Sequence, residues 1–195
     1  MLSNLKEGQE KLDPRVRRTR QLIEQAFMEV INEKGFQEMT VRDITERAGI
    51  NRATFYAHFQ DKYGLLDQSI RQGFLQEVDK RMLNACHFTV DNLRNLIIAV
   101  CEFIKNANSK CKPAQSQFET LVEAQVKEVL YDLLLKWLEQ TRTNTEPEIA
   151  ATATSWAIYG LALQWSHSKR LESVEKFADE VLPLIVPNLQ LVEAA

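Results

Sequence analysis

The fold is decided by residues 40–62, which read Thr40-Val-Arg-Asp-Ile-Thr-Glu-Arg-Ala-Gly-Ile-Asn-Arg-Ala-Thr-Phe-Tyr-Ala-His-Phe-Gln-Asp-Lys62. Thr40 and Asp43 form the Thr-x-x-Asp pattern of a helix start, and Gly49 suits the left-handed backbone of a helix end. Asn51 can then cap a second short helix. The stretch therefore predicts two short helices joined by a glycine turn, the spacing of a helix-turn-helix.

The second of these helices has two different faces. Phe55 and Phe59, four residues apart, are predicted to anchor it to the core. Its other face offers side chains able to bond bases or phosphates, namely Arg52, Thr54, Tyr56 and His58. Exposed polar residues without a partner are the alternative interpretation. Helix starts at Thr40 and Lys62 would suit phosphates, and Arg17 and Arg18 lie where they could reach flanking DNA backbone or minor groove.

The remaining sequence predicts an all-α fold. The first helix begins at Asp13 and Pro14 and ends at Gly35, with an inward stripe of Leu22, Ile23, Ala26, Phe27, Val30 and Ile31. Later helices are predicted over 61–84, 93–104, 118–138, 145–167 and 173–191. Thr145 and Glu148 form a capping-box pattern at one start, while Pro183 and Pro187 should kink or divide the last helix.

These elements predict about nine helices in two folded parts. We expect a mobile arm over 1–12, a three-helix helix-turn-helix domain over 13–60, and a larger helical domain over 61–195. The whole chain of 195 residues has a formal net charge of −3, and 45% of its residues are apolar. Residues 1–60 hold ten Lys and Arg against nine Asp and Glu, so the charge total does not indicate a nucleic-acid binder.

Several other classes of protein are disfavoured. Three cysteines without a Cys-x-x-Cys pair suit a reducing cytoplasm, and the first ten residues lack the apolar core of a signal peptide. The charge-free run between Glu148 and Lys169 is interrupted by polar residues, which favours a buried helix over a membrane span. No phosphate loop, nucleophile elbow or metal-ligand spacing is present, so we expect no enzyme, no cofactor and no metal.

Residue types and spacings in 15–62 agree together with a known family. They are Ala26 and Phe27 with Gly35 and Phe36, then Thr40-Val-Arg-Asp-Ile, Ala48-Gly-Ile-Asn-Arg-Ala-Thr-Phe-Tyr-Ala-His-Phe, and Asp61-Lys62. This segment resembles the N-terminal DNA-binding domain of the tetracycline-repressor-like (TetR) family of bacterial regulators. Ala53 replaces a frequent glycine of that family, Asn51 a frequent serine, and Gly64 a frequent acidic residue.

The resemblance implies specific roles. Helix three of each subunit would enter the major groove of double-stranded DNA, helix four would link to a ligand-binding domain, and the last two helices would pair two copies. Phosphate contacts are implied for Thr40, Tyr56, His58 and Lys62, with base-edge contacts for Arg52 and Thr54. Dimerisation would use residues 146–168 and 173–191, where small residues allow close helix approach.

Together these observations favour a ligand-responsive, dimeric transcriptional regulator, in the family's usual form a repressor released from a pseudo-palindromic operator by a small molecule. An adaptor whose C-terminal domain binds a protein instead is the alternative. The candidate pocket for an apolar effector comprises Met82, His87, Phe103, Phe118, Trp137, Trp156 and Tyr159. Each could equally be ordinary core, and the sequence does not identify the effector.

Overall fold

The computed structural model describes residues 13–81, 87–110, 116–168 and 173–191, with side chains at all of them except 108–110 and 116–118. The α-helices within these ranges are α1 (Pro14–Lys34), α2 (Val41–Ala48), α3 (Arg52–Tyr56), α4 (Lys62–Arg81), α5 (Val90–Lys110), α6 (Ser116–Leu138), α7 (Pro147–His167) and α8 (Val174–Ile185). A 3-10 helix, Val186–Leu189, follows α8. The predicted all-α class is confirmed.

Helix α1 has the ends that its sequence predicts. Asp13 Oδ1 accepts a hydrogen bond of 2.8 Å from the Arg15 amide, and Gly35 ends the helix with a φ of 77°. The inward stripe is confirmed at its four buried members, Ile23, Ala26, Phe27 and Val30. Leu22 was predicted to face inward, but it is exposed. It lies at the edge of the stripe, one residue before the fully buried Ile23.

Helix α4 joins the N-terminal helices to the rest of the molecule. Asp61 caps it, since its Oδ1 accepts hydrogen bonds of 2.8 Å from the amides of Tyr63 and Gly64. The helix packs against both α5 and α6. A Cβ atom at Gly73 would lie 3.4 Å from the Phe103 ring. The absence of a side chain at this position therefore allows a close approach between α4 and α5.

The C-terminal helices are packed around α7. Helix α6 lies along α7, α5 contacts α7 and α8, and the 3-10 helix closes against α7. Ser173 Oγ caps α8, and the helix ends at Ile185 before the 3-10 segment that contains Pro187. The predicted division of the last helix is therefore confirmed at Pro187, whereas Pro183 lies within α8 and does not divide it.

One predicted helix start is wrong. Glu146 occupies the N-cap of α7 and makes no side-chain capping bond, so Thr145 and Glu148 do not form a capping box. The reason is Pro147, whose fixed φ and missing N–H favour the first helical position. Thr145 then stands one residue too early to cap.

The outer faces of α7 and α8 carry large apolar side chains. Ile149 and Trp156 of α7 are each 61% exposed, and Leu184 of α8 is 63% exposed. Gly160, further along the exposed side of α7, has no heavy atom within 4 Å of the place where a Cβ would lie. We refer to these four residues as the α7–α8 apolar face. None of the helices in the described ranges has both the length and the apolar character needed to cross a membrane.

Candidate nucleic-acid interface

The start of α2 is fixed by a reciprocal capping box. The Asp43 amide donates to Thr40 Oγ1 at 3.2 Å, and the Thr40 amide donates to Asp43 Oδ2 at 2.9 Å. Lys34 Nζ pairs with the same carboxylate at 2.6 Å. The Lys34 ammonium and the Thr40 donors hold the pKa of Asp43 well below its usual range. The predicted capping box is confirmed, and Lys34 ties it to the end of α1.

A second set of ion pairs holds α2 against α1. Arg47 Nη1 and Nη2 donate to the two carboxylate oxygens of Glu33 at 2.9 and 2.6 Å, and Nη1 also donates to Glu29 at 3.2 Å. Hydrogen bonds to Glu33 and Glu29 raise the pKa of Arg47. Beneath these pairs, Ile44 is fully buried. The two helices therefore form a rigid support for the element that follows.

Gly49 and Asn51 fix the turn between α2 and α3. Gly49 has φ 66° and ψ 34°, the left-handed conformation that ends α2, and Asn51 Oδ1 accepts from the Ala53 amide at 2.9 Å. Phe55 and Phe59 are buried as predicted, although Phe59 lies beyond the helical residues of α3. Arg20 of α1 lies over the Phe59 ring, with its guanidinium carbon 5.1 Å from the ring centre.

The opposite face of α3 presents a small polar surface. Arg52 is exposed, Tyr56 is 49% exposed, and Arg52 Nη2 donates to Tyr56 Oη at 3.4 Å. Thr54 and His58 are half-buried. Burial, then the neighbouring Arg20 cation, lowers the pKa of His58, so this imidazole is neutral at neutral pH. We refer to Arg52, Thr54, Tyr56 and His58 as the α3 face.

The other sequence-predicted residues differ in their exposure and contacts. Arg17 and Arg18 are exposed in the first turns of α1, and Thr40 is exposed at the start of α2. Lys62 is different, because its ammonium donates to the backbone carbonyl oxygens of Phe36, Gln37 and Met39 at 3.0, 3.3 and 2.8 Å.

Comparisons with known proteins agree with this geometry. Residues 23–68 match the model of bacterial regulatory proteins of the tetR family. Over 75 residues, the chain is 37% identical to the uncharacterized HTH-type transcriptional regulator YxbF of Bacillus subtilis (strain 168), a match that covers 38% of this chain and 20% of that protein. Residues 23–68 therefore match the DNA-binding domain of the TetR family.

Solved structures extend the likeness in fold beyond the first third of the chain. A TetR-family regulator from Streptomyces coelicolor A3 matches with a TM-score of 0.61 at 19% identity, over 88% of this chain and 94% of that one. Thermus thermophilus FadR, a TetR-family repressor solved in complex with lauroyl-CoA, matches with a TM-score of 0.55 at 22% identity, over 90% and 97% of the two chains. At these identities the likeness establishes the fold.

The expected pocket residues have different surroundings. Trp137 is buried against Phe88, with ring centres 6.4 Å apart, and Phe103 packs on Phe74 at 5.3 Å. Tyr159 is also buried, and desolvation, with Glu123 and Glu119 nearby, raises its pKa to about 12. Met82 and the Phe118 side chain lie outside the described residues.

Two of the expected pocket residues face outward instead. His87 is exposed, and Trp156 belongs to the α7–α8 apolar face, where Lys127 Nζ lies 3.3 Å from its ring centre. His87 and Trp156 are therefore more exposed than the buried aromatic residues, although Lys127 Nζ also lies 5.9 Å from the ring centre of the buried Tyr159. Helix α7 has no charged residue after Glu148 to mark a solvent face, so its sequence does not indicate which face is covered.

Sequence reasoning missed the side chains that connect the helices. Arg20 bonds Gln68 of α4, and Arg71 of α4 pairs with Glu128 and Asp132 of α6, each at 3.1 Å. Long-range pairs of this kind leave no periodic signal, because their members are 48 to 61 residues apart in the chain. They make α4 a polar bridge between α1 and α6.

Proposed function

We propose that this protein is a dimeric, DNA-binding transcriptional regulator whose hold on double-stranded DNA is released by a small-molecule effector. The observation that carries the proposal is the α3 face, which presents Arg52 and Tyr56 outward on a capped helix-turn-helix of the TetR family. The curated relative that carries the sequence match is aligned over only 20% of its own length. The activity of the whole chain therefore belongs to this proposal.

The residues of the α3 face have the chemistry for two kinds of DNA contact. The exposed guanidinium of Arg52 suits bidentate bonding to a guanine edge, and Thr54 can bond a base edge or contact a thymine methyl group. Tyr56 and His58 can each donate to a phosphate, with Thr40 and the start of α2 beside them. Arg17 and Arg18 would contact the flanking backbone, which adds a sequence-independent, salt-sensitive contribution.

A second copy of the chain is the partner that the α7–α8 apolar face suits. Exposed side chains such as Ile149, Trp156 and Leu184 would leave water on pairing, and Gly160 permits close helix contact. A twofold dimer would present two α3 helices to successive major grooves about 34–36 Å apart. We therefore expect a pseudo-palindromic operator.

Effector control would act through α4. The Arg71 ion pairs link α4 to α6, and the Arg20–Gln68 bond links it to α1. An effector that binds more tightly to a conformation with α4 shifted would draw the population away from the DNA-binding state. Thermus thermophilus FadR, which has this fold, was solved with lauroyl-CoA, and this supports a small-molecule site within the helical domain.

The proposal is tested by measuring operator affinity after truncation of Arg52. An operator is first selected from random duplexes with the purified full chain. Arg52→Ala should weaken binding to it by at least about 30-fold, since a bidentate base contact contributes about 1–3 kcal/mol and the dimer would lose two of them. The matched control is Arg142→Ala, which removes the same charge from an exposed site between α6 and α7. Equal affinities for both variants and the unmodified protein would remove Arg52 from the interface.

A further inference from the structure

The ammonium group of Lys62 is hydrogen-bonded to the backbone of the protein itself rather than directed into solvent. Its ammonium donates to three carbonyl oxygens of the segment between α1 and α2, those of Phe36, Gln37 and Met39, at 2.8–3.3 Å. An ammonium has three N–H donors. All three donors therefore have backbone acceptors, at a position that the family resemblance assigns to phosphate contact.

Aromatic rings complete the surroundings of this ammonium. Lys62 Nζ lies 4.8 Å from the centre of the Phe36 ring and 5.7 Å from that of Tyr63, and those two rings meet edge to face. Both distances are within the range of cation–π attraction. Removal from water lowers the pKa of Lys62, and the carbonyls and rings replace the lost solvent as partners for the charge. We call this arrangement the Lys62 cage.

The Lys62 cage lies directly before the start of α2. Helix α1 ends at Gly35, and the carbonyls after it cannot be satisfied by helix continuation. The last acceptor belongs to Met39, which is fully buried, and the next residue is Thr40, the N-cap of α2. Lys62 itself is the first residue of α4. One side chain thus connects the start of α4 to the segment that sets the position of α2.

From this geometry we propose that Lys62 is a positioning residue, which fixes residues 36–39 and thereby the phosphate-facing start of α2 without itself contacting DNA. To donate to a phosphate, the ammonium would have to give up at least one carbonyl. The inference rests on the proposed function for its DNA readout. The hydrogen bonds between Lys62 and residues 36–39 are present without DNA and do not rest on the proposed function.

Two substitutions separate positioning from phosphate contact. Lys62→Met keeps most of the length of the unbranched side chain and removes the charge. Lys62→Arg keeps the charge but replaces three rotatable donors with a planar fork that does not match three converging carbonyls. A phosphate contact would tolerate arginine, whereas the Lys62 cage would not. Thermal unfolding and the salt dependence of operator binding are then measured for the full-length variants.

We expect both variants to unfold at lower temperature than the unmodified protein and to bind the operator at least tenfold more weakly, with the salt slope retained to within about 0.5. Loss of a true phosphate contact from each subunit would instead make the slope shallower by roughly 1.8. Arg17→Ala is the control, because loss of an exposed contact should reduce the slope and leave the unfolding temperature unchanged. If Lys62→Met does not fold, the arginine variant supplies the binding data.

The proposal is overturned if Lys62→Arg matches the unmodified protein in both measurements, or if Lys62→Met changes the salt slope and not the unfolding temperature. Complete absence of operator binding by the unmodified protein would refute the proposed function. In that case the unfolding temperatures alone decide the inference. Unchanged temperatures for both variants would then contradict the Lys62 cage as a structural element.

Discussion

Replacement of Trp156 by alanine should break the proposed dimer. A buried tryptophan side chain removes about 150–250 Å² from water, and Trp156 is 61% exposed in the single chain. Roughly 90–150 Å² per subunit therefore remains for a partner to cover. At about 25 cal/mol per Å² this area is worth about 2–4 kcal/mol per subunit, and twofold symmetry places the substitution in both subunits.

The expected result is a rise of at least about 100-fold in the dimer dissociation constant, after allowance for the contacts that alanine retains. Sedimentation equilibrium across a concentration series measures this constant directly. Leu22→Ala is a suitable control, because Leu22 is an exposed apolar residue on α1, far from the proposed contact in the chain order. A dissociation constant unchanged to within about threefold would refute the assignment of Trp156 to the dimer interface.

Three further substitutions test the account elsewhere. Gly64→Ala should stabilise the protein by up to about 1 kcal/mol, because a Cβ there would meet only the Asp61 side chain, at 3.8 Å; thermal unfolding checks it, and a loss of stability would contradict it. Asp43→Asn should lower the unfolding temperature at neutral pH. That difference should shrink as pH falls below about 4, since the depressed pKa of Asp43 means that its stabilising contribution is present above the unfolded pKa and lost as the carboxylate is protonated. A pH-independent difference would contradict this. Arg71→Gln should cost about 1–2 kcal/mol of stability through loss of its ion pairs with Glu128 and Asp132, and a double-mutant cycle with Asp132→Asn should show coupling. Additive effects in that cycle would exclude the pairing.

Local signals made much of the N-terminal part predictable. Thr40 and Asp43 cap each other three residues apart, Gly49 is left-handed, and Asn51 caps α3. Each of these features depends on atoms a few residues apart, so the sequence contains both partners at a fixed spacing. The same kind of reasoning erred at Thr145, where Pro147 decided the helix start instead.

The tertiary placement of side chains was much less predictable. The resemblance implied that Lys62 contacts a phosphate, yet its nearest partners are carbonyls 23 to 26 residues earlier in the chain. Trp156 was expected within a pocket and is exposed, because α7 has no charged residue after Glu148 to mark its outer face, and its inward face is set by the contacts with α5 and α6. Such choices depend on which helices meet, information that no local spacing contains.

The helix-turn-helix is supported from two directions that meet at α4. Its first residue, Lys62, holds the segment before α2, and Arg71 two to three turns later is paired with α6. A shift of α4 would therefore strain the Lys62 cage at one end and the Arg71 ion pairs at the other. This arrangement gives the helical domain a physical route to the position of the α3 face.

The central claim is that a dimer reads DNA through α3. It is tested most directly by selecting bound duplexes from a random pool and footprinting the most enriched sequence. The account predicts two related half-sites about a twofold axis, with centres roughly 10–10.5 base pairs, or about 34–36 Å, apart or a multiple of that spacing. Protection should appear in successive major grooves on one side of the duplex. Failure of any sequence to be enriched, or protection of a single isolated half-site, would contradict a dimer that reads DNA through α3.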